Sequence, residues 1–141
     1  MTIRPAVETD YAELILLYND FVGEDRYSRH DNDSFHKVLE SKNNFVYVVE
    51  DKGKLVGFSS FSVRNVIRYP KPIAELDELF VSAEYRRHGV GKQLMDIVMK
   101  KAKELDCYRI FIESNYKHTG AHKFYESLDF TNYGYHFIKD L

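Results

Sequence analysis

The sequence predicts a mixed α/β (α+β) fold, with a central, mostly antiparallel sheet of six or seven strands and four helices on its two faces. Three observations predict it. Two runs rich in Val, Tyr and Phe, 45–50 and 55–64, are joined by Asp51-Lys52-Gly53-Lys54, a composition suited to a hairpin turn. Between other strand-like runs, apolar residues recur at the three-to-four spacing of amphipathic helices. With 141 residues, 44% hydrophobic and 15% aromatic, the chain suffices for one domain around one core and falls outside the disordered class.

In order, Thr2-Ile3-Arg4 reads as a short first strand closed by Pro5. A helix over 10–21 follows, capped by Thr9 or Asp10 with Glu13 completing a capping box, and Ala12, Ile15, Leu16 and Asn19 trace one face. The polar stretch 22–33 reads as a loop, and Asp33 or Ser34 caps a short helix to Ser41. After the hairpin and the stiff Tyr69-Pro70-Lys71-Pro72, a fourth strand spans Ile73 to Val81. Within it Leu76, Leu79 and Val81 are spaced three and then two, which one face accommodates only if a residue bulges out, so a β-bulge is expected near Asp77-Glu78. The next helix carries Val90, Leu94, Ile97, Val98, Ala102 and Leu105 as a stripe. A fifth strand at 109–113, a helix at 120–128 and final strands at 130–132 and 135–139 complete the chain.

Several classes are excluded or disfavoured. A net charge of −2 argues against a nucleic-acid partner. Cys107 is the single cysteine, so neither an intrachain disulfide nor a cysteine-based zinc site can form, and no histidine spacing suggests a metal. No apolar run reaches the roughly 18 residues of a membrane span, and Arg4-Pro5 interrupts a signal-like start. The expectation is a cytoplasmic chain without membrane or metal, whose partner is a small molecule; the sequence also admits a homodimer.

The segment Leu76 to Leu94 carries the first chemical signal. An apolar strand ends at Val81, a polar turn follows, and Gly89 and Gly91 flank Val90 where the periodic helix begins. A helix start leaves about four N–H groups unpartnered and carries roughly half a positive charge, which favours a phosphate, and Arg86, Arg87, His88 and Lys92 add side-chain charge. A P-loop is excluded because Gln93 follows Lys92 and no glycine lies five residues before Gly91. A dinucleotide fingerprint is excluded because Leu94 stands at its third glycine position and no strand–helix–strand unit lies near the N-terminus. What stays is Arg-x-x-Gly-x-Gly between strand and helix, which resembles the acetyl-CoA pyrophosphate loop of the GNAT family of N-acetyltransferases.

A second stretch is similar to the same family's other motif, Asn followed by Ala-x-x-Phe-Tyr-x-x-x-Gly-Phe. Ala121, Phe124, Tyr125 and Phe130 match in register, Asn115 sits just after a strand, and Asp129 replaces the usual glycine at a helix end that favours positive φ. The resemblance implies one acetyltransferase domain over 1–141, a sheet splayed between strands four and five, and acetyl-CoA as co-substrate. It assigns the cofactor's pyrophosphate to Arg86, Arg87, His88, Gly89, Val90, Gly91 and Lys92. Its pantetheine arm goes to the backbone of Leu79, Phe80 and Val81 and to Asn115, with Ala121 and Phe124 beside it.

Acetyl transfer needs a base, because an alkyl amine is mostly protonated at neutral pH. Glu75, Asp77 and Glu78 crowd together, and their repulsion can raise a pKa into a useful range; Glu78 is the first choice and Asp77 the second, directly or through water. The departing thiolate needs a proton, which a tyrosine with a pKa of about 10 can donate at pH 7. The motif singles out Tyr125 among eleven tyrosines for that role. His118 and His122 read as helix-start residues, and Cys107 as a small core residue.

The acceptor is expected along 21–30 and the hairpin near 65–69, with Tyr27, Arg29, His30 and Glu75 as substrate residues. Glu75-Leu76-Asp77-Glu78-Leu79 with Val81, Ala121-His122-Lys123-Phe124-Tyr125 and the ending Tyr135 to Leu141 look similar to aminoalkylphosphonate N-acetyltransferases, with aminoglycoside acetyltransferases a looser likeness, which implies an anion site among Arg26, Arg29, His30, Arg64 and Arg68. Three functions stay open: acetylation of a small amine, acetylation of a protein N-terminus or lysine, and non-catalytic acyl-CoA binding. Keeping both Tyr125 and the acidic cluster argues against the last.

Overall fold

The computed structural model describes residues 1–141 and falls into two units, 1–111 and 112–141. In the first, β1 (Thr2–Pro5) leads through a 3-10 turn (Glu8–Asp10) into α1 (Tyr11–Val22) and α2 (Asp33–Glu40). Then come β2 (Asn44–Asp51), β3 (Lys54–Arg64), β4 (Ile73–Val81), a second 3-10 turn (Ala83–Tyr85), α3 (Val90–Glu104) and β5 (Arg109–Ile112). The sheet order is β1-β2-β3-β4-β5. Neighbours from β1 to β4 are antiparallel, and β5, reached through α3, runs parallel to β4. The strand starts meet where Tyr108 N–H donates to Pro72 O at 2.7 Å, just before each strand begins.

Local chemistry explains the joints. Lys52 and Gly53 have φ of 51° and 76°, the paired positive values of a two-residue hairpin turn whose twist matches its strands. The expected bulge is present: Ser60 pairs with Glu78 but Phe61 pairs with Leu76, leaving Asp77 as the extra residue on β4.

The core lies on both faces of this sheet. On the α1 side Leu14, Leu17, Val48, Leu55, Phe58 and Phe80 form one cluster. On the α3 side Val49, Val56, Val90 and Leu94 form another. α3 buries Met95 as well as the expected Val90, Leu94, Val98 and Ala102.

α1 turns differently from expectation. Its buried residues are Leu14 and Leu17, while Ala12 is exposed and Leu16 is 65% exposed. Tyrosines explain the rotation: Tyr18 packs on Phe58 at 4.5 Å and Tyr11 on Phe35 at 5.6 Å, so the helix presents the stripe 11, 14, 18 inward. Nor do Asp10 and Glu13 form the expected box. Asp10 accepts from Arg4 at 2.8 and 2.9 Å and from Val7 N–H at 2.8 Å, and Glu13 accepts from Leu55 N–H at 2.8 Å. The Arg4 guanidinium, with help from Val7 N–H, holds the buried Asp10 carboxyl below its usual range, outweighing the loss of solvent that would raise it.

The second unit contains α4 (Thr119–Glu126). Asp129, at φ 64°, takes the left-handed position read from the sequence. Phe130 N–H donates to Tyr125 O at 3.1 Å and Asp129 N–H to Glu126 O at 3.0 Å, closing a Schellman motif. The Phe130 ring sits 6.1 Å from Tyr125, the hydrophobic contact that accompanies such a cap.

Phe130 is therefore used by the helix end, and the strands expected at 130–132 and 135–139 do not form, so the sheet has five strands rather than six or seven. Tyr135 and Phe137 are 94% and 89% exposed. Alternation marks which side chains could share a face, but a strand also needs a ladder partner, which this segment lacks.

Candidate functional site

A cavity of about 760 Å³ opens in the first unit between the α1 face of the sheet, the two N-terminal helices and the loop joining them. Its lining includes Tyr11, Leu14, Ile15, Tyr18, Tyr27, Arg29, His30, Asp31, Phe35, Val38, Val46, Ser60, Asp77 and Glu78. The β4 bulge brings two consecutive carboxylates to it while Leu76 stays buried opposite Phe61.

Glu78 is half-buried, and its carboxyl is pushed up to about 7, chiefly by loss of solvent and secondarily by Asp77; hydrogen bonding from the Tyr18 hydroxyl partly offsets this. Asp77 is more exposed, and its carboxyl is raised by desolvation and then by Glu75, with Ser62 and Arg64 opposing. Burial and the neighbouring Glu78 raise the Tyr18 hydroxyl above its ordinary value, so it stays a proton donor at neutral pH. Ser60, in register with Glu78 and so on the same face, is 8% exposed, and its hydroxyl has no hydrogen-bond partner.

The loop that walls the cavity is held from α1. Asn19 Oδ1 accepts from Arg26 N–H at 3.0 Å and Tyr27 N–H at 2.9 Å, while its Nδ2 donates to Asp25 and Ser28 at 2.9 Å each. The Tyr11 hydroxyl bonds the His30 and Asp31 carbonyls at 2.9 and 2.8 Å. The Tyr27 ring meets Tyr18 at 5.7 Å and His30 at 5.5 Å, edge-on.

Of the expected substrate residues, Tyr27, Arg29 and His30 line this cavity with Asp77 and Glu78; Glu75 does not and instead pairs with Arg64 at 3.0 Å. Arg26 is paired with Glu24, and Arg68 lies over Tyr69 at 4.8 Å. Phe21 and the 65–69 hairpin are likewise absent from the lining. Tyr18, Ser60 and Asn19 are additions: Asn19 had been read only as part of a helix face, and the other two had no role. A Ser-Ser pair inside an otherwise apolar strand was the available signal for Ser60.

The turn between β4 and α3 has its own geometry. Gly89 caps α3 at φ 79°, and a Cβ built there meets nothing within 4 Å, so the backbone faces open space. Gln93 N–H donates to Gly89 O at 3.0 Å, and the first-turn N–H groups before it lack intrahelical acceptors. Arg87 is also left-handed, at φ 62°. Arg86 Nε donates to Val81 O at 2.8 Å with its guanidinium 5.5 Å from the Phe80 ring centre, which ties the turn to the end of β4. Lys92 pairs with Asp96 at 2.7 Å, whereas His88 is exposed.

In the second unit, Asn115 Oδ1 accepts from Lys117 N–H at 3.0 Å, and its carbonyl accepts from His122 Nε2 at 3.0 Å. Tyr125 is half-buried and burial raises its hydroxyl pKa; its ring lies 5.5 Å from Phe124. Ala121 is half-buried one turn earlier on α4.

Comparison with known proteins gives these features a family. The model of the acetyltransferase (GNAT) family matches residues 11–130. A probable glucosamine 6-phosphate N-acetyltransferase of Drosophila melanogaster is 30% identical over 135 residues, 92% of this chain and 60% of that protein. The chain thus spans 60% of the length of the curated relatives it matches. Among solved structures, a transcriptional regulator from Bacillus halodurans has a TM-score of 0.91 at 23% identity over 99% of both chains, a likeness of fold alone. An aminoglycoside acetyltransferase from an uncultured soil metagenomic sample, in complex with trehalose, has a TM-score of 0.87 at 25% identity, covering 99% of this chain and 95% of its own. The family match begins at the first residue of α1, takes in the β4 bulge and the Gly89 turn, and ends at the Phe130 cap: the chain belongs to the acetyltransferase (GNAT) family.

Proposed function

We propose that this chain transfers an acetyl group from acetyl-CoA to the primary amine of a small molecule by direct attack. The observation that carries the reading is Glu78, a carboxyl pushed up to about 7 on the wall of a 760 Å³ cavity. A base with that pKa is about half ionised at neutral pH and still accepts a proton from an amine made acidic by bond formation. Asp77, adjacent on the bulge, raises the Glu78 pKa and offers a second acceptor for a water-relayed proton.

The turn over 86–91 suits the co-substrate's pyrophosphate, because the Gly89 backbone faces open space and α3 begins one residue later. Acetyl-CoA would supply the acetyl thioester. Leu79, Phe80 and Val81 are assigned its pantetheine arm through backbone groups, with Asn115, Ala121 and Phe124 on the motif of the second unit. Glu78 takes the amine proton, and Tyr125, whose hydroxyl stays protonated at neutral pH, gives one to the departing sulfur. The cavity volume lies in the range of small-molecule sites, which favours a metabolite over a protein acceptor.

The test is release of free thiol from acetyl-CoA against aminoethylphosphonate, an amino acid, a polyamine and an N-terminal peptide in one assay. Turnover with a small amine and not with the peptide is expected. Turnover with the peptide alone would refute the small-molecule reading, and thiol release with none would exclude these four acceptor classes.

A further inference from the structure

Resting on that reading of the cavity as the acceptor site, we infer that the acceptor is a primary amine carried on an apolar, ring-sized body, an arylalkylamine rather than a polyhydroxylated amine. The polarity of the cavity is graded. Leu14, on the α1 side, is 2% exposed, and beside it Ile15, Tyr18, Phe35, Val38 and Val46 present half-buried carbon surface. Of the lining side chains rich in hydrogen-bonding groups, Arg29, His30, Asp31, Ser34 and Asp77 are exposed and Asn44 is half-buried. The Tyr11 hydroxyl is turned onto two loop carbonyls at 2.8 and 2.9 Å.

Inside, polar groups converge on one place. Ser60 pairs in register with Glu78, both facing the cavity, and the 92% burial implied by its 8% exposure leaves a hydroxyl with no partner in the protein. A primary ammonium has three N–H donors, which the Glu78 carboxylate on the cavity wall can accept while the body of the molecule lies on the aromatic and aliphatic wall. An aminosugar would set several ring hydroxyls against that wall. Each buried hydroxyl without a partner is penalised by roughly tenfold in affinity.

The test compares 2-phenylethylamine with glucosamine 6-phosphate in two measurements: kcat/KM by thiol release, and calorimetric binding to the protein without acetyl-CoA. The inference expects 2-phenylethylamine to lead by at least about tenfold in both. Equal values, or a lead for the aminosugar, overturn it while leaving acetyl transfer standing. If neither amine releases thiol but 2-phenylethylamine binds the more tightly by that margin, the acceptor class stands and the transferase reading falls. Failure of 2-phenylethylamine to bind overturns the inference, whatever the aminosugar does.

Discussion

Replacing Glu78 with Gln keeps the shape of the side chain and removes its charge, and the structure sets what should change. The folded carboxyl titrates near 7 against an ordinary value of 4.5. As base it must be ionised, so its competent fraction rises from about 0.1 at pH 6 to about 0.9 at pH 8. The acceptor amine also titrates, which clouds a single profile. The ratio of wild-type to Glu78→Gln kcat/KM cancels that common factor and should itself climb about tenfold from pH 6 to 8, reaching the 10²–10⁴ typical of a positioned base. Stability gives the opposite sign. Because the folded pKa is raised, the acid form is favoured by folding: the contribution of Glu78 is complete below about pH 4.5 and is lost as pH rises through 7. Discounted for partial exposure, the rise from 4.5 to about 7 corresponds to about 2–3 kcal/mol, so the glutamine variant should be the more stable protein above pH 7 by up to that amount. Steady-state thiol release and urea unfolding, both across pH 5–9, measure the pair. A ratio flat with pH, joined to unchanged stability at pH 8, would refute the assignment of Glu78.

Other outcomes follow from the same geometry. Tyr125→Phe should lower kcat by at least about tenfold while shifting the KM for acetyl-CoA little, since the hydroxyl acts as the sulfur departs; unaltered kcat would make it a packing residue on α4. Asn19→Ala removes the four hydrogen bonds that shape the cavity loop, so the acceptor KM should rise about tenfold while acetyl-CoA affinity measured by calorimetry stays the same. Asp10→Asn should cost about 3 kcal/mol by leaving the Arg4 guanidinium half-matched, read as a lowered urea midpoint. Asp10 also sets an acid limit: its folded pKa is depressed, so its contribution is complete above about pH 4 and is lost as pH falls below it.

Much of the fold was legible because its signals are local. β4 starts and stops where its apolar run does, the three-then-two spacing of Leu76, Leu79 and Val81 implied the bulge, and Gly89 and Asp129 stand where the backbone turns left-handed. What was not legible depends on partners remote in sequence. The apolar spacing puts Leu16 on the packed face and leaves Leu17 off it, whereas Leu17 is buried and Leu16 exposed once Tyr18 meets Phe58 across the chain. Residues 130–139 alternate like a strand, yet Phe130 is taken by the cap of α4 and no ladder receives the others. The site divides in the same way. Asp77, Glu78, Tyr27, Arg29 and His30 were named from charge and placement, and they share one cavity. Tyr18 and Ser60 belong to it through helix rotation and strand register, quantities that residue type alone does not encode. Glu75 is grouped with its neighbours by adjacency, but Arg64, two residues along β3 from its register partner Ser62, engages it.

The bulge at Asp77 sets how this stretch can change over evolutionary time. Side chains along β4 are assigned to the two sides of the sheet by counting, and the supernumerary residue resets the count between Leu76 and Glu78. Exchanging residue 77 for another type alters one group. Deleting it would restore strict alternation and leave Leu76 opposite Phe61 and Glu78 opposite Ser60, each on its own side, so the two halves of the strand stay compatible. The strand should therefore tolerate loss of residue 77 while its chemistry does not: a chain lacking it should keep the same two faces and lose the carboxylate that helps raise Glu78.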